Sequence, residues 1–469
     1  MNRALITALS VATGTIVRMP RRTPSTEPLR SATGVPLTRA VTFKFALDPN
    51  HAQERALFTH AGAARFAFNH HLGRIKANLD QREAERSYGA TPDELTPSLS
   101  WSKFSFINEF NAWKNGQLET SRVNDDGSAG LHWRAEVSSD VFECASVNAA
   151  QALANFSDSR KGARGGKTVG FPKFKARHKS APSFRLRNRS KVAASQALRV
   201  AGPKSLRLPT IGEIRIHGCT RTIRRMLEGG RLHLYSASIR FERGRWHVAL
   251  TGLAAQTHHE RRSAAGRHQV AAGLDVGIKS LAVVADAHGH VLHVVKGVNA
   301  LQHAQERLKR ANQSLSRTKK GSNGRAKAAR RLGRIHARVA HLRADLAHQL
   351  SYQLATTLTR LTVEDLFVAG MVQLHSLARH IADAGLGDLG RLLAYKARWY
   401  GLELVQADRW FPSSKTCSGC GAIKGDLTLA DRTYSCACGL VIDRDVNAAI
   451  NLARWTPAAP ASPPVALAA

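Results

Sequence analysis

The amino-acid sequence predicts a multidomain α/β protein in which a helical lobe and a β-rich, barrel-like domain precede a mixed α/β domain. At 469 residues the chain is long enough for two to four domains. Helical periodicity dominates residues 50–160, whereas residues 213–250 alternate as strands do. From residue 270 onward, short apolar strands come first and then alternate with helices.

The first half of the chain predicts one strand, a helical insertion and a β-domain. Residues 40–47 alternate like a strand, and helical periodicity follows. A basic, glycine-bearing connector spans 160–189. Of the strands after it, Leu232–Glu242 and Arg245–Leu250 are joined by a hairpin turn at Arg243-Gly244. The first strand completes this β-domain if the helical lobe is an insertion.

The second half has the element order of an RNase H-like fold. Three short strands are predicted first, then a long helical pair, and then strands that alternate with helices. In chain order the predicted elements are strands 271–275, 281–285 and 291–295, the helical pair 300–360, strand 361–368, helix 386–400 and strand 402–407.

Excess positive charge is the strongest signal in the composition. The chain has 69 Lys+Arg against 34 Asp+Glu, a formal net charge of +35. Because such a field repels itself in the compact state, a polyanionic partner is expected. No apolar run reaches the roughly 18 residues that a spanning helix needs, and the cations are spread along the whole chain. Nucleic acid is therefore favoured over a membrane surface.

The N-terminus and the cysteines indicate the compartment. Residues Arg3 to Val17 resemble a weak signal peptide, but they lack a small-x-small cleavage site and a basic, proline-containing stretch follows. We expect a disordered extension, or an upstream addition to a chain that starts at Met19. Six cysteines are too few for a disulfide scaffold. A reducing bacterial cytoplasm is expected, with the protein acting at the nucleoid.

Three carboxylates lie in short apolar segments far apart in the sequence. Asp275 ends a predicted strand, Glu364 interrupts a second one, and Asp445 begins an apolar-periodic helix. Two Mg²⁺ ions about 3.5–4 Å apart can hydrolyse a phosphodiester, and Mg²⁺ prefers carboxylate oxygen ligands. The order and setting of the three acids predict such a site. Each acid alone could instead end a turn, face solvent or cap a helix.

Two neighbouring acids compete with these candidates. Asp365 is expected on the opposite face of its strand from Glu364, because side chains alternate along a strand. Periodicity does not separate Asp443 from Asp445. Gly277 is expected to let the backbone turn and the substrate approach.

Four cysteines have the spacing of a metal site, Cys417-x-x-Cys420 and Cys436-x-Cys438, with a polar loop between the pairs. Four thiolates suit a closed, structural, tetrahedral Zn²⁺ site. Two disulfides or free thiols are the alternatives. The second pair is one residue tighter than usual, and Gly439 would ease the backbone there.

Cations are concentrated in the connector and in the helical pair. They face few acids, whereas a solvated helix face would interleave Glu and Asp, so phosphate contact without sequence readout is predicted. Phe171, Phe174 and Phe184 would either stack on unpaired bases or anchor the connector to the core. The predicted nucleic-acid contacts are Lys173, Lys175, Arg177, Lys179, Arg185, Lys319, Lys320, Arg325, Lys327, Arg330, Arg331 and Arg334.

Several motifs together resemble one family. GLDVGIKSLAVV, TVEDLFVAGM, CSGC…CACG and DRDVNAAINLA look like the split RuvC nuclease motifs and zinc finger of TnpB, transposon-encoded RNA-guided nucleases ancestral to the type V CRISPR effectors. The connector and the basic helical pair also resemble this family, so that the likeness covers residues 39–454. The departures are the Cys436-x-Cys438 spacing and the N-terminal extension. The chain length leaves room for an early type V effector.

The resemblance implies a fold of an RNase H-like RuvC domain with an inserted zinc ribbon, a β-rich wedge domain and a helical recognition lobe. It implies that Asp275, Glu364 and Asp445 are catalytic, because the family's third acid lies two residues before the Asn of the NAA stretch, here Asn447. The expected segments are an extension 1–39, a wedge strand 40–49, a recognition lobe 50–160, a connector and wedge domain 161–268, a RuvC domain 269–412 with a helical pair 300–360, a zinc finger 413–441, a last RuvC segment 442–456 and a flexible tail 457–469.

The resemblance also implies an activity. The chain is expected to be a Mg²⁺-dependent DNA endonuclease that pairs a guide RNA with the target strand, recognises a short adjacent motif and cuts both strands with one site. Two Mg²⁺ ions and one structural Zn²⁺ are the expected cofactors, and guide RNA and double-stranded DNA the expected partners, with no membrane. The alternative is a guided DNA-binding or silencing protein with weak or no cleavage. Its mark would be a missing acid, whereas all three are present.

Overall fold

The structure is a computed structural model that describes residues 38–188, 197–255, 270–373, 377–428 and 431–457. The chain divides into two compact units, Met1–Gln256 and Thr257–Ala469. Most of the predicted extension and nearly all of the predicted tail lie outside the described residues. Thr38 and Arg39, which were assigned to the extension, belong to the first strand instead.

The first unit contains seven strands and four α-helices in its described part. In chain order these are β1 (Thr38–Asp48), α1 (His51–Ser87), α2 (Lys103–Lys114), α3 (Ser139–Arg160), β2 (Ser183–Arg187), β3 (Arg199–Gly202), β4 (Ser205–Leu208), β5 (Gly212–His217), α4 (Arg221–Glu228), β6 (Leu232–Glu242) and β7 (Arg245–Ala255), with a short 3₁₀ helix at His132–Glu136.

The strands of this unit form one antiparallel sheet in the order β2-β6-β7-β1-β5-β4-β3. The predicted turn between β6 and β7 is present, with Arg243 and Gly244 both at positive φ, as a two-residue hairpin loop requires. Because β1 pairs with β7 and β5 inside the sheet, helices α1 to α3 are an insertion between two strands of one sheet.

The inserted helices have their own apolar core. Asn50 and Gln53 form a capping box at the start of α1, and Phe68, Leu72 and Ile75 of α1 pack against Phe106 and Leu153 of the two helices that follow. One sequence expectation is wrong here. The connector does not extend to residue 189, because β2 adds to the sheet beside β6.

The second unit has a mixed sheet flanked by helices in the part that the structure describes. Its elements are β8 (Ala271–Asp275), β9 (Ser280–Asp286), β10 (Val291–Lys296), α5 (Ala300–Ser316), α6 (Asn323–Thr357), β11 (Arg360–Val363), α7 (Val368–Met371), α8 (Ala378–Ala384), α9 (Leu386–Tyr400), β12 (Glu403–Gln406), β13 (Thr433–Ser435), β14 (Val441–Asp443) and α10 (Arg444–Arg454).

The main sheet of this unit has the order β10-β9-β8-β11-β12. Strands β8 to β10 are antiparallel, and β11 lies parallel to both β8 and β12. Its core joins Leu274 and Leu361 of the sheet to Leu354 of α6 and Leu393 of α9. Mixed α/β content and the element order therefore agree with the prediction. The strand expected at 361–368 is wrong in length, because β11 ends at Val363.

None of the helices in the described ranges combines the length and the apolar character that crossing a membrane requires.

Candidate functional site

Two of the predicted acids are neighbours at one edge of the main sheet. Strands β8 and β11 run parallel, with Leu274 opposite Val363. Asp275 is the last residue of β8, and Glu364 follows β11 directly. Since parallel strands reach their carboxyl ends at the same edge, these two carboxylates lie side by side although they are far apart in sequence.

Electrostatics links the third acid to this pair. Burial holds the pKa of Asp275 well above its ordinary value, and the nearby carboxylates of Glu364 and Asp445 raise it further. Burial also raises the pKa of Asp445, with a smaller contribution from Asp443. These carboxylates repel one another when ionised, so the surroundings of Asp275 favour a proton or a cation. The ligand oxygens of the three acids do not all lie within 4.8 Å of one another.

The structure distinguishes Asp443 from Asp445. Asp443 is the N-cap of α10, and its Oδ1 accepts hydrogen bonds from the N–H groups of Asp445 at 2.9 Å and Val446 at 3.2 Å. Asp443 is exposed, whereas Asp445 is partly buried in the first turn. The helix therefore uses the Asp443 carboxylate for its own backbone.

Asp365 is also engaged elsewhere. Arg409 donates to its Oδ2 from Nε at 3.0 Å and from Nη2 at 2.6 Å, and Gln406 Nε2 donates to its Oδ1 at 2.8 Å. Strand alternation does not turn Asp365 away from Glu364, as was expected, because β11 ends at Val363 and neither residue lies in a strand. Two nitrogens of Arg409 donate to one oxygen of Asp365 and Gln406 donates to the other, so both carboxylate oxygens of Asp365 have partners within the chain.

Gly273 allows α10 to approach β8, a role that the sequence analysis did not find. A Cβ at this position would collide with the carbonyl oxygen of Ala449 and the N–H nitrogen of Ala453, and would lie 2.7 Å from Leu452 Cβ. The helix that carries Asp445 thus lies directly on the strand that carries Asp275. The signal in the sequence was the glycine inside an apolar strand, which often marks close backbone approach.

A matched pair of glycine substitutions tests this contact. Gly273→Ala should lower the free energy of unfolding by about 1–3 kcal/mol, because the added methyl overpacks the helix against the strand. Gly390→Ala in α9 should be neutral or stabilising, since nothing lies within 4 Å of a Cβ there and alanine is the better helix former. Denaturant unfolding of both variants measures the difference. Equal stability would mean that α10 does not rest on Gly273.

Two buried asparagines of α10 hold the loop that leads into the cysteines. Asn447 donates to the Thr416 carbonyl oxygen at 2.7 Å and accepts from the Ser418 N–H at 2.9 Å. Asn451 donates to the carbonyl oxygens of Ser413 at 2.7 Å and Thr416 at 2.6 Å. Their i, i+4 spacing on an otherwise apolar helix face was the sequence signal for this contact, and it was missed.

The same loop contacts Glu364. The hydroxyl of Ser413, which is 3% exposed, donates to Glu364 Oε1. Beside Glu364 there is a cavity of about 460 Å³, whose lining includes Leu366, Arg391 and Gln406. The lining of this cavity includes Glu364 but neither Asp275 nor Asp445. Glu364 therefore lies at a concave surface, as binding sites usually do, and a buried hydroxyl orients its carboxylate.

The four cysteines form a compact cluster. Their sulfur atoms all lie within 4.8 Å of one another, and no other group of three or more possible ligands in the described ranges does so. Cys417–Cys438 and Cys420–Cys436 each have Sγ···Sγ distances of 3.6 Å. Sulfurs in a disulfide are about 2.05 Å apart, whereas a tetrahedron with Zn–S bonds of about 2.3 Å has edges of about 3.8 Å. The cluster could therefore hold a metal such as zinc.

Local backbone geometry prepares this cluster. Gly421 and Gly439 follow the two cysteine pairs at positive φ, 78° and 92°, which glycine adopts at little cost. Burial raises the pKa of the Cys417 thiol, but the N–H groups of Cys420 and Gly419 donate to its sulfur and bring the pKa down to about 7. Donors aimed at sulfur favour the thiolate, the form that binds a metal.

The predicted nucleic-acid contacts fall into two groups. Lys175 lies 3.7 Å over the ring of Phe68, and Arg325 donates to the carbonyl oxygens of Leu315 and Thr318, so both have partners within the chain. Arg185 is exposed but donates to Ser236 Oγ at 3.0 Å. The other members are exposed, namely Lys173, Arg177, Lys179, Lys319, Lys320, Lys327, Arg330, Arg331 and Arg334.

The aromatic residues of the connector divide between the two expected roles. Phe184 is 5% exposed in β2, and Phe171 packs against the helical core, so both anchor the chain. Phe174 is half exposed.

A groove of about 590 Å³ runs between α5 and α6, where Arg331 and Arg334 lie beside Ile335 and Val339. It is a basic surface with an apolar floor.

Three family models match the chain. A model described as "Probable transposase" of the OrfB_IS605 type matches residues 255–375, the TNB domain model of Cas12f1-like proteins matches 387–452, and a helix-turn-helix model matches 40–84. The last description does not fit the fold, because residues 40–84 form β1 and one continuous helix, α1.

Curated relatives match over most of the chain. Proteins of two Mycobacterium tuberculosis strains, each named "Putative RNA-guided DNA endonuclease", are 34% identical over 420 residues, covering 88% of this chain and 86% of theirs. A protein of Escherichia coli K12 with the same description is 26% identical over 432 residues, covering 89% of this chain and 92% of its own.

The solved structures that match are more distant. The cryo-EM structure of a Cas12f1–sgRNA–target DNA complex is 12% identical, covers 89% of this chain and 99% of its own, and has a TM-score of 0.42. At this score the likeness supports no statement about this chain.

Proposed function

The chain belongs to the TnpB (OrfB) family, and from this premise we propose that it is an RNA-guided DNA endonuclease. One observation of its own structure carries the proposal. Asp275, Glu364 and Asp445 come from three separate segments, and burial together with the charges of Glu364 and Asp445 raises the pKa of Asp275. The relatives' descriptions supply the guide RNA and the DNA target.

We propose that the second unit is an RNase H-like RuvC domain whose three carboxylates hold two Mg²⁺ ions. Bound magnesium would activate a water molecule and stabilise charge on the leaving oxygen of the phosphodiester. The chain itself fixes the ligands. The edge of the sheet sets Asp275 beside Glu364, α10 brings Asp445, and the Ser413 hydroxyl orients one oxygen of Glu364.

The Ser413 contact predicts an effect on metal affinity. Ser413→Ala should weaken binding of a divalent cation by about 10- to 100-fold, the usual loss when a group that orients a metal ligand is removed. Calorimetric titration with Ca²⁺ or Mn²⁺ measures the metal affinity without any cleavage. Ser418→Ala in the same loop is the matched control, since Ser418 contacts α10 through its backbone N–H. Equal affinity in both variants would show that Ser413 does not support Glu364.

A structural Zn²⁺ ion in the four-cysteine cluster completes the proposal. Its role would be to hold the loop between β12 and β13, because Ser413, Thr416 and Ser418 of this loop are fastened to α10 by Asn447 and Asn451. Metal binding at the cysteines would thereby stabilise the segment that contacts Glu364.

The first unit would recognise the guide and the DNA beside the target. We propose that the inserted helices α1 to α3 form a recognition lobe and that the seven-stranded sheet forms a wedge domain. The exposed cations would bind phosphates without reading sequence, while base pairing to the guide selects the target. The single carboxylate site would cut both strands in turn.

Purification of the protein from cells that carry its gene with the native flanking DNA tests the proposal. A discrete co-purifying RNA with one variable end is expected, and the complex should cut matching double-stranded DNA only when Mg²⁺ and an adjacent motif are present. No enriched RNA would contradict guided recognition. Target binding without cleavage would support the alternative, a guided silencing protein, although the complete set of acids argues against it.

A further inference from the structure

Two strongly exposed aromatic side chains lie close in sequence to Glu364 and to Ser413, whose hydroxyl donates to it. Trp410 is 85% exposed and Phe367 is 60% exposed. Phe367 follows Glu364 by three residues, and Trp410 precedes by three residues the Ser413 that donates to Glu364. A single exposed ring needs no explanation. These two belong to one group, because the side chain of Arg409, the residue next to Trp410 in sequence, lies near the Phe367 ring.

Charged neighbours hold this surface in place. The guanidinium of Arg409 lies 5.9 Å from the centre of the Phe367 ring. Two nitrogens of the same guanidinium donate hydrogen bonds to Asp365 Oδ2. Asp365 therefore has a role although it is not among the three clustered acids. The Arg409 side chain remains 48% exposed despite this ion pair, so its charge is still available to a ligand.

The backbone presents the tryptophan outward. Asp408 caps the turn, accepting at Oδ1 from the Trp410 N–H at 2.8 Å, while its carbonyl oxygen accepts from the Phe411 N–H at 3.0 Å. The segment then continues into the loop that α10 holds through the hydrogen bond from Asn451 to the Ser413 carbonyl oxygen. The exposed ring is thus carried by a fixed turn, which reduces the entropy lost when a ligand binds.

We propose that Phe367, Arg409 and Trp410 form a stacking surface for unpaired bases of the DNA strand that is being cut. This inference rests on the proposed function and adds how the strand is held at the acids. A guided nuclease must accept any sequence, and stacking on aromatic rings is sequence-tolerant because every base has a π face. Arg409 adds a cation that can stack on a base or contact a phosphate.

Photocrosslinking to the guide-bound complex tests the surface. The target carries one 5-bromodeoxyuridine, moved along the strand near the cut, and Ca²⁺ replaces Mg²⁺ so that no cleavage is needed. Irradiation should join one or two of these positions to peptides that contain Trp410 or Phe367. Crosslinks confined to other peptides would overturn the proposal.

Cleavage kinetics supply the second test. Trp410→Leu should slow single-turnover cleavage about tenfold or more, as expected for a lost base stack, and Trp410→Phe should restore most of the rate. Tyr352→Leu is the matched control, because Tyr352 is 52% exposed in the same unit, near the end of α6 that is remote from its exposed cations. Equal rates for Trp410→Leu and Tyr352→Leu would overturn the stacking surface and leave the nuclease proposal standing. Crosslinks at Trp410 in a complex that never cuts would support the surface and contradict the nuclease.

Discussion

Replacement of Asp275 by asparagine should abolish DNA cleavage and leave the protein at least as stable to heat as the wild type. Burial and the charges of Glu364 and Asp445 hold the pKa of Asp275 well above its ordinary value, which indicates a place for a cation, and an amide is a poorer ligand for magnesium. Loss of several kcal/mol of transition-state stabilisation should reduce the cleavage rate by at least about a thousandfold. Single-turnover cleavage of a guide-matched target measures the change, and normal cutting by this variant would disprove the site.

The Asp275 carboxyl makes the stability of the wild-type protein depend on pH in a defined direction. Burial and neighbouring carboxylates raise the pKa of Asp275 in the folded, metal-free protein, whereas unfolding restores a value of about 3.9. The folded state therefore binds more protons, and the free energy of unfolding falls as pH rises from the ordinary pKa through the raised one. An amide does not titrate, so the Asp275→Asn variant would not have this loss. In the absence of divalent cations it should melt at or above the wild-type temperature at neutral pH.

A matched pair of variants checks the choice between the two acids of the last motif. Asp445→Asn should lose cleavage as Asp275→Asn does. Asp443→Asn should lose less than about tenfold, because asparagine is as good an N-cap as aspartate and can accept the same two N–H groups. If Asp443→Asn proves the inactive one, the third acid is Asp443.

Replacement of both Cys417 and Cys420 by serine should abolish metal binding at the four-cysteine cluster and loosen the site. Metal content should fall from one atom per chain to near none. Structural zinc contributes several kcal/mol to folding, so we expect the melting temperature to drop by roughly 10 °C or more. Cleavage should fall too, because the loop that orients Glu364 begins this module.

Cys219→Ser is the control for this change. Cys219 is exposed and lies in the first unit, so its loss should leave both metal content and melting temperature unchanged. Elemental analysis and thermal melts follow both variants. Full zinc content in the Cys417→Ser, Cys420→Ser protein would contradict the four-cysteine site.

Much of the secondary structure could be predicted because its signals are local. The helix at 386–400 and the strand at 271–275 have the predicted bounds, since hydrophobic periodicity and glycine at the ends specify them. The short strands β3 and β4 were not predicted. Four residues carry too little periodicity, and these strands exist by pairing with their neighbours in the sheet.

The sequence by itself determined which groups are available for chemistry: three acids in or beside apolar segments, four cysteines at metal spacing, and a large excess of cations. Only the tertiary structure decided which groups meet. The register of β8 and β11 sets Asp275 beside Glu364, the cap of α10 separates Asp443 from Asp445, and Ser413 reaches Glu364 across 49 residues of chain. Such contacts leave no local pattern, because they depend on how distant segments pack rather than on the order of residues within one.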